Sequence, residues 1–202
     1  MCEHLFVFTV DGSDYAYLLG MYLGDGCVSR TGRTYQLNVA LDAQYPGIVC
    51  EVAETIERIG PNKVSIRKDP RGECFRVYSG WFRWATLFPQ TGPGRKHERP
   101  IVLTDWQWVL VRHHREQFIR GLIHSDGCRT VNRFKTKLPS GRVAEYEYVR
   151  YFFSNMSAQI RRMFCTVCEE LGIRWTQSNH RNISVSHRDS VAILERIVGP
   201  KT

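Results

Sequence analysis

Leu18-Leu19-Gly20-Met21-Tyr22-Leu23-Gly24-Asp25-Gly26-Cys27 returns in recognisable form as Ile119-Arg120-Gly121-Leu122-Ile123-His124-Ser125-Asp126-Gly127-Cys128. Both stretches run apolar, any, Gly, apolar, apolar, any, small, Asp, Gly, Cys. The offset is 101 residues, half of the 202-residue chain. A period of that length makes the chain a duplication, and the duplication decides the architecture.

The segments downstream of each stretch repeat as well. A polar-apolar segment suited to a strand pair spans 28–41, with a turn at Thr31-Gly32, and its counterpart spans 129–153, with a connection at Pro139-Ser140-Gly141. A helix comes next in each half. Its apolar stripe is Ile48, Val52, Ile56 and Ile59 in the first, and Ile160, Phe164, Cys168 and Leu171 in the second. Each helix stops at a glycine, Gly60 or Gly172. Short strand segments are expected at 63–67 and 74–79, then at 174–178 and 182–186. Closing helices at 81–88 and 189–198 lead into Gly92-Pro93 and Gly199-Pro200. The sequence therefore predicts an α+β chain of two pseudo-symmetric αββαββα repeats: 1–93, a connection at 94–103, and 104–202. An added helix from Asp105, capped by Thr104, feeds the second motif.

Small residues four apart, Gly20 with Gly24 and Gly121 with Ser125, share one helix face and permit close helix approach. The two motif helices are expected to pack together on a pseudo-twofold axis. Each ends in Asp-Gly, which places a carboxylate where the helix dipole disfavours an anion, so a cation or solvent must offset it. Crossing the helices near these ends brings Asp25 and Asp126 together. Two carboxylates at a symmetric junction form a natural site for divalent metals between two phosphates, and hard oxygen ligands suit Mg²⁺.

Composition agrees with a partner of that kind. The formal charge is +8, which favours polyanions through counterion release. The apolar fraction, 43%, is ordinary for a folded chain. Seven cysteines make an odd count without a disulfide framework. The N-terminal apolar patch, broken by Glu3 and His4, lacks a secretory h-region. No run approaches a membrane span. An intracellular, cytoplasmic setting is the expectation. Cys165 and Cys168 fall on the apolar face of a helix without a second ligand pair, so core packing is expected rather than zinc.

With these residues in place, the two stretches resemble the paired LAGLIDADG motifs of single-chain homing endonucleases. Gly20 and Gly121 match the internal glycine, and Asp25 and Asp126 match the acidic residue before the final glycine. Leu23 and His124 stand where the consensus has its first aspartate, and Arg120 stands at a usually small position. The resemblance covers nearly the whole chain and implies a fold with a β-saddle for DNA. It also implies a monomeric, site-specific endonuclease that cuts duplex DNA with short 3′ overhangs. Asp25 and Asp126 would bind the catalytic metals, with Gly24 and Ser125 beside them in the ligand set. The cofactor implied is Mg²⁺, with Mn²⁺ as a substitute and Ca²⁺ supporting binding without cleavage. Lys96 and Lys201, each just past a closing helix, are the implied catalytic lysines. Asp42 or Gln44, and Asn155, are the implied water-positioning residues.

A β-ribbon fits the major groove, and Arg, Asn and Gln pair with base edges there. Candidate DNA-binding residues in the first half are Arg30, Arg33, Gln36, Asn38, Arg67, Arg71 and Arg76. The second half offers Arg129, Asn132, Arg133, Lys135, Lys137, Arg142, Arg150, Gln177 and Asn182. Because the hairpins differ, the target is expected to be an imperfect palindrome. The tract Gly94-Arg95-Lys96-His97-Glu98-Arg99 reads as a connection touching the DNA backbone rather than a localisation signal. Rival readings are a non-cleaving, sequence-specific DNA-binding regulator on the same fold and an RNA-binding maturase. Intein splicing is disfavoured by the want of flanking splicing segments, and the chain reads as free-standing.

Overall fold

A computed structural model describes residues 10–70, 72–199 and 201. The predicted duplication is present in the topology. The first half runs α1 (Gly12–Gly24), β1 (Gly26–Thr31), β2 (Thr34–Asp42), α2 (Pro46–Ile59), β3 (Ser65–Lys68), β4 (Cys74–Gly80) and α3 (Trp84–Leu87). After a short 3-10 turn at Lys96–Glu98 comes α4 (Asp105–His113). The second half then runs α5 (Arg115–Asp126), β5 (Gly127–Lys137), β6 (Val143–Ser154), α6 (Ala158–Glu170), β7 (Thr176–Gln177), β8 (Asn182–Val185) and α7 (Arg188–Val198). Each half builds one four-stranded antiparallel sheet, ordered β1-β2-β4-β3 and β5-β6-β8-β7. The same order arising twice from one chain is what duplication requires.

α1 starts at Asp11, whose carboxylate accepts the backbone N–H groups of Ser13 and Asp14 at 2.9 and 3.0 Å. It is apolar all round and buried from Tyr15 to Leu23, because α5, α2 and α4 surround it. Burial alternates along β2, β4 and the C-terminal end of β6. Leu37, Val39 and Leu41 of β2 and Tyr151 and Phe153 of β6 face one core that spans both halves. Cys165 and Cys168 lie in that core as free thiols, and burial pushes the Cys168 thiol well above its ordinary pKa.

Several boundaries differ from expectation. The first closing helix is only four residues long, not 81–88. The Trp81 N–H is tied to Tyr35 O at 2.7 Å, which prolongs the sheet, and Pro89 cannot continue a helix. Gly172 takes a left-handed φ of 71° and ends α6 as expected. Gly60 is extended at φ −107°, so the stop there comes from Pro61, which pushes the preceding residue out of the helical region. The first hairpin turns at Gly32-Arg33, one residue later than the expected Thr31-Gly32. The strand expected at 174–178 shrinks to two residues. Thr104 does open α4, its N–H bonded to Gln107 Oε1 at 2.9 Å. Arg71, Pro200 and the N-terminal apolar patch at 1–9 lie outside the described residues.

Candidate active site

The site begins with the contact between α1 and α5. A Cβ on Gly20 would sit 2.6 Å from Phe118 O and 2.7 Å from Leu122 N. A Cβ on Gly121 would overlap Tyr17 O and lie 3.1 Å from Gly20 Cα. Tyr17 and Phe118 are themselves one repeat apart, so the contact is two-fold symmetric. Only glycine lets the two backbones approach this closely. Four residues on, a Cβ on Gly24 would overlap the Ser125 side chain and lie 2.9 Å from Asp126 Oδ2. The helices therefore still touch at their C-terminal ends, and both acids stand at one junction.

That crowding is visible in the acids' protonation. Asp25 opens to solvent on one side, yet protein packs around its carboxyl. Burial first, and the neighbouring Asp126 second, push its pKa up to about 7 against the pull of Lys96 and Lys201. Burial raises Asp126 too, but Asn155 opposes it. Asn155 Nδ2 donates to Asp126 Oδ2 at 2.5 Å, while Asn155 Oδ1 accepts the Ser157 N–H at 2.7 Å. The second bond fixes the amide so that it presents its donor to the acid.

Two lysines close the site from opposite sides. Lys96 Nζ donates to the carbonyls of Tyr22, Leu23 and Gly24, the last two at 3.0 and 2.9 Å, and lies 5.0 Å from the Tyr22 ring centroid. It caps the negative end of α1. Burial brings its pKa down to about 8, though both acids favour the charged form. Lys201 Nζ donates to Gly127 O at 2.6 Å and lies 5.1 Å from the Tyr45 ring centroid. Burial lowers its pKa as well. Lys201, Asp25, Asp42 and Tyr45 line a cavity of about 240 Å³.

The donor chemistry fits a hard divalent cation. Two carboxylates with raised pKa share one junction, and a divalent charge offsets both their repulsion and the helix-end potential. The Gly24 carbonyl is engaged by Lys96 at 2.9 Å. The Ser125 hydroxyl donates back to Gly121 O and Leu122 O at 3.1 and 3.0 Å.

No family model matches the chain, and no curated protein matches it by sequence. Solved structures match it by fold. The LAGLIDADG meganuclease I-AabMI bound to uncleaved DNA aligns over 91% of this chain and 82% of its own, with TM-score 0.56 and 10% identity. I-DmoI in complex with DNA and Ca aligns over 94% and 91%, with TM-score 0.54 and 16% identity. The N-terminal LAGLIDADG domain of DUF199/WhiA aligns over 94% and 83%, with TM-score 0.57 and 12% identity. This is the LAGLIDADG fold.

The LAGLIDADG frame explains the departures in the motifs. Leu23 and His124 both point into the core. His124 Nδ1 meets Tyr17 Oη at 3.0 Å and Nε2 meets Val198 O at 3.2 Å. Burial drops its pKa to about 4, so it stays neutral. Arg120 bridges the halves to Glu51 Oε2 at 2.9 Å. Asp42 borders the cavity beside Asp25, and its Oδ1 accepts the Gln44 N–H at 2.9 Å, while Gln44 itself is an exposed turn residue. Neither matches Asn155 in register. Gly26 pairs with Val39 as Gly127 pairs with Phe153, so the counterpart of Asn155 is the buried Leu41. Tyr22 and Tyr45, the lysines' aromatic neighbours, had no signal beyond ordinary core positions.

Strand parity divides the DNA candidates between the two faces of each sheet. Gln36, Asn38, Arg67 and Arg76 share the open sheet face of the first half, and Asn132, Arg150 and Asn182 share that of the second. Arg30 pairs with Tyr35, and Arg129, Arg133, Lys135 and Lys137 fall in register with Tyr151, Glu147, Glu145 and Val143, all on the opposite face. Gln177 joins that face through Ile183. The buried Tyr151 and Phe153 set this parity, and one residue of offset moves a side chain to the other side. Arg129, Arg133 and Lys135 are instead paired with Glu195, Glu147 and Glu145. Arg33 and Arg142 occupy the hairpin connections.

Proposed function

We propose that the protein is a site-specific, Mg²⁺-dependent endonuclease that acts as a monomer on double-stranded DNA and cuts both strands. It leaves short 3′ overhangs at a long, imperfectly palindromic site. The observation that carries this reading is the apposition of Asp25 and Asp126 at the abutting ends of α1 and α5, flanked by two half-buried lysines. The LAGLIDADG neighbours described as bound to DNA support it. Residues 1–93 and 104–202 form the two repeats, joined by 94–103, and each serves one half-site.

Asp25 and Asp126 would hold the divalent cations, which when bound supply an activated water and neutralise phosphate charge. Mn²⁺ would substitute, and Ca²⁺ would permit binding alone. The chain's own groups do the rest. Lys96 and Lys201 place ammonium charge beside the acids, where it stabilises negative charge gathering on a cleaved phosphate. Asn155 orients the Asp126 carboxylate and, through it, the attacking water. Asp42 is the first half's candidate for the second of these tasks, from the rim of the cavity. The open faces of the two sheets take up the major groove on either side.

Cleavage selection on a randomised duplex library, with Mg²⁺ and with Ca²⁺, tests the reading. Mg²⁺-dependent double-strand cuts are expected from the wild type, and binding without cuts from Asp25→Asn/Asp126→Asn. Tight binding by the wild type with no cleavage would establish the alternative, a regulator on the same fold. That alternative draws on the WhiA domain, which is described as a LAGLIDADG domain rather than an endonuclease.

A further inference from the structure

The open faces of the two sheets differ in chemistry. In the first half the hairpin presents the polar Gln36 and Asn38, with Arg67 and Arg76 beside them and Tyr78 opposite Asn38 as its single aromatic neighbour on β4. In the second half the open face of the longer β5–β6 hairpin carries Phe134, Tyr146, Tyr148 and Phe152; Phe152 matches Asn38 in register, while Phe134 and Tyr146 lie beyond the end of the first half's shorter hairpin. Phe134 and Tyr146 are cross-strand partners stacked at 5.3 Å with an interplanar angle of 21°, yet they remain 47% and 44% exposed. Phe134 also meets Tyr148 edge-on at 5.9 Å. The Arg150 guanidinium lies 5.6 Å from the Tyr148 centroid and 5.5 Å from that of Phe152. Its Nε is buried without a hydrogen-bond partner. An exposed aromatic pair on a strongly basic protein is unfavourable in water and marks a surface that meets an apolar feature of its ligand.

We propose that this row selects thymine in the half-site bound by the second repeat, through apolar contact with the thymine C5-methyl groups. The inference rests on the DNA-cleavage reading above and deepens it. The occupant is set by continuity, because the row shares its strand face with Cys128, two residues past Asp126. Thymine alone among the four bases presents a methyl group in the major groove, where apolar side chains contact it. Phe134 lies six residues beyond Cys128, about 20 Å along the strand. That places the thymine contacts on the order of six base pairs outside the cut region. Arg150, its guanidinium set between two rings, lies nearer the cut and is held ready for a guanine edge or a phosphate. The first half, with amides at its centre, reads by hydrogen bonds instead.

Binding sites are selected from randomised duplex DNA in Ca²⁺ buffer with the wild-type protein. The half whose preference shifts in Gln36→Ala/Asn38→Ala is assigned to the first repeat. Deoxyuridine then replaces thymidine, one position at a time. Each lost methyl is expected to weaken binding about fourfold at the outer positions of the second half-site, and much less elsewhere. Phe134→Ser/Tyr146→Ser, which changes only exposed side chains, is expected to bind thymine and uracil duplexes alike. A second half-site selected without thymine, or wild-type binding indifferent to uracil there, overturns the proposal alone. So does competition by single-stranded oligothymidine that vanishes in Phe134→Ser/Tyr146→Ser while duplex binding persists, which would make the row a single-strand platform. Failure to enrich any duplex sequence would overturn the DNA reading itself, and this inference with it.

Discussion

Replacing Gly20 by alanine sets two effects of opposite sign against each other. In an open helix the change stabilises by about 1 kcal/mol, since alanine is the better helix former. At Gly20 the new Cβ would lie 2.6 Å from Phe118 O, 2.7 Å from Leu122 N and 2.9 Å from Gly121 C. All three atoms are backbone, so no rotamer change relieves the contact. Restoring ordinary separation moves α5 away by roughly 0.8 Å from that 2.6 Å contact. Overpacking of this kind costs about 1–3 kcal/mol, and an immovable neighbour puts it at the upper end. The expected net loss is about 2 kcal/mol, or ~4–8 °C in Tm for a chain of this size. Urea unfolding of Gly20→Ala, read by circular dichroism, measures it. Gly20→Ala/Gly121→Ala should lose less than the sum of the single changes, because the first displacement already opens the shared interface. A Gly20→Ala protein as stable as the wild type, or more so, would refute the reading of this crossing as backbone-on-backbone packing.

The acids and their neighbours give further expected outcomes. Because the Asp25 pKa is raised to about 7, its contribution to metal-free stability is fully present below the unfolded carboxylate value and is lost as pH rises through 7. Asp25→Asn should therefore gain on the wild type between pH 4 and 7 and hold a constant advantage above, about 1–2 kcal/mol once solvent screening is allowed for; thermal melts across pH without divalent ions check this, and a flat difference counts against it. Added Mg²⁺ should raise the wild-type Tm and leave Asp25→Asn/Asp126→Asn unmoved, as expected for a ligand that binds only the native pair. Asn155→Leu, which copies the first half's Leu41, removes the bond to Asp126 and should raise the Asp126 pKa further; carboxyl NMR titration reads the shift, and plasmid nicking should show one strand cut more slowly. Lys96→Met strips three carbonyls at the end of α1 of their donor and should cost about 1–2 kcal/mol in urea unfolding, a loss that would be absent if the side chain were merely solvated.

The amino-acid sequence by itself determined the duplication, the αββαββα order, the glycine-mediated helix pairing and the two acids. Each of these is local and periodic: glycines four apart, a carboxylate at a helix end, and stripes at helix or strand period are written in residue spacing. The buried character of Cys165 and Cys168 and the cap at Thr104 were legible for the same reason. The fold alone decided what depends on partners distant in sequence. Strand parity in β5 and β6 is set by Tyr151 and Phe153 entering the core. That choice sent Arg129, Arg133, Lys135 and Lys137 to the far face and turned Phe134 and Tyr146 outward. The inequality between the halves was likewise hidden. Asn155 and Leu41 stand at equivalent register positions, but differing segment lengths conceal this until the strands pair. Lys96 becomes a helix cap only because residues 72 to 74 positions earlier place their carbonyls beneath it. Spacing encodes what a segment becomes, whereas packing assigns its neighbours, and the chemistry of this site resides in those neighbours.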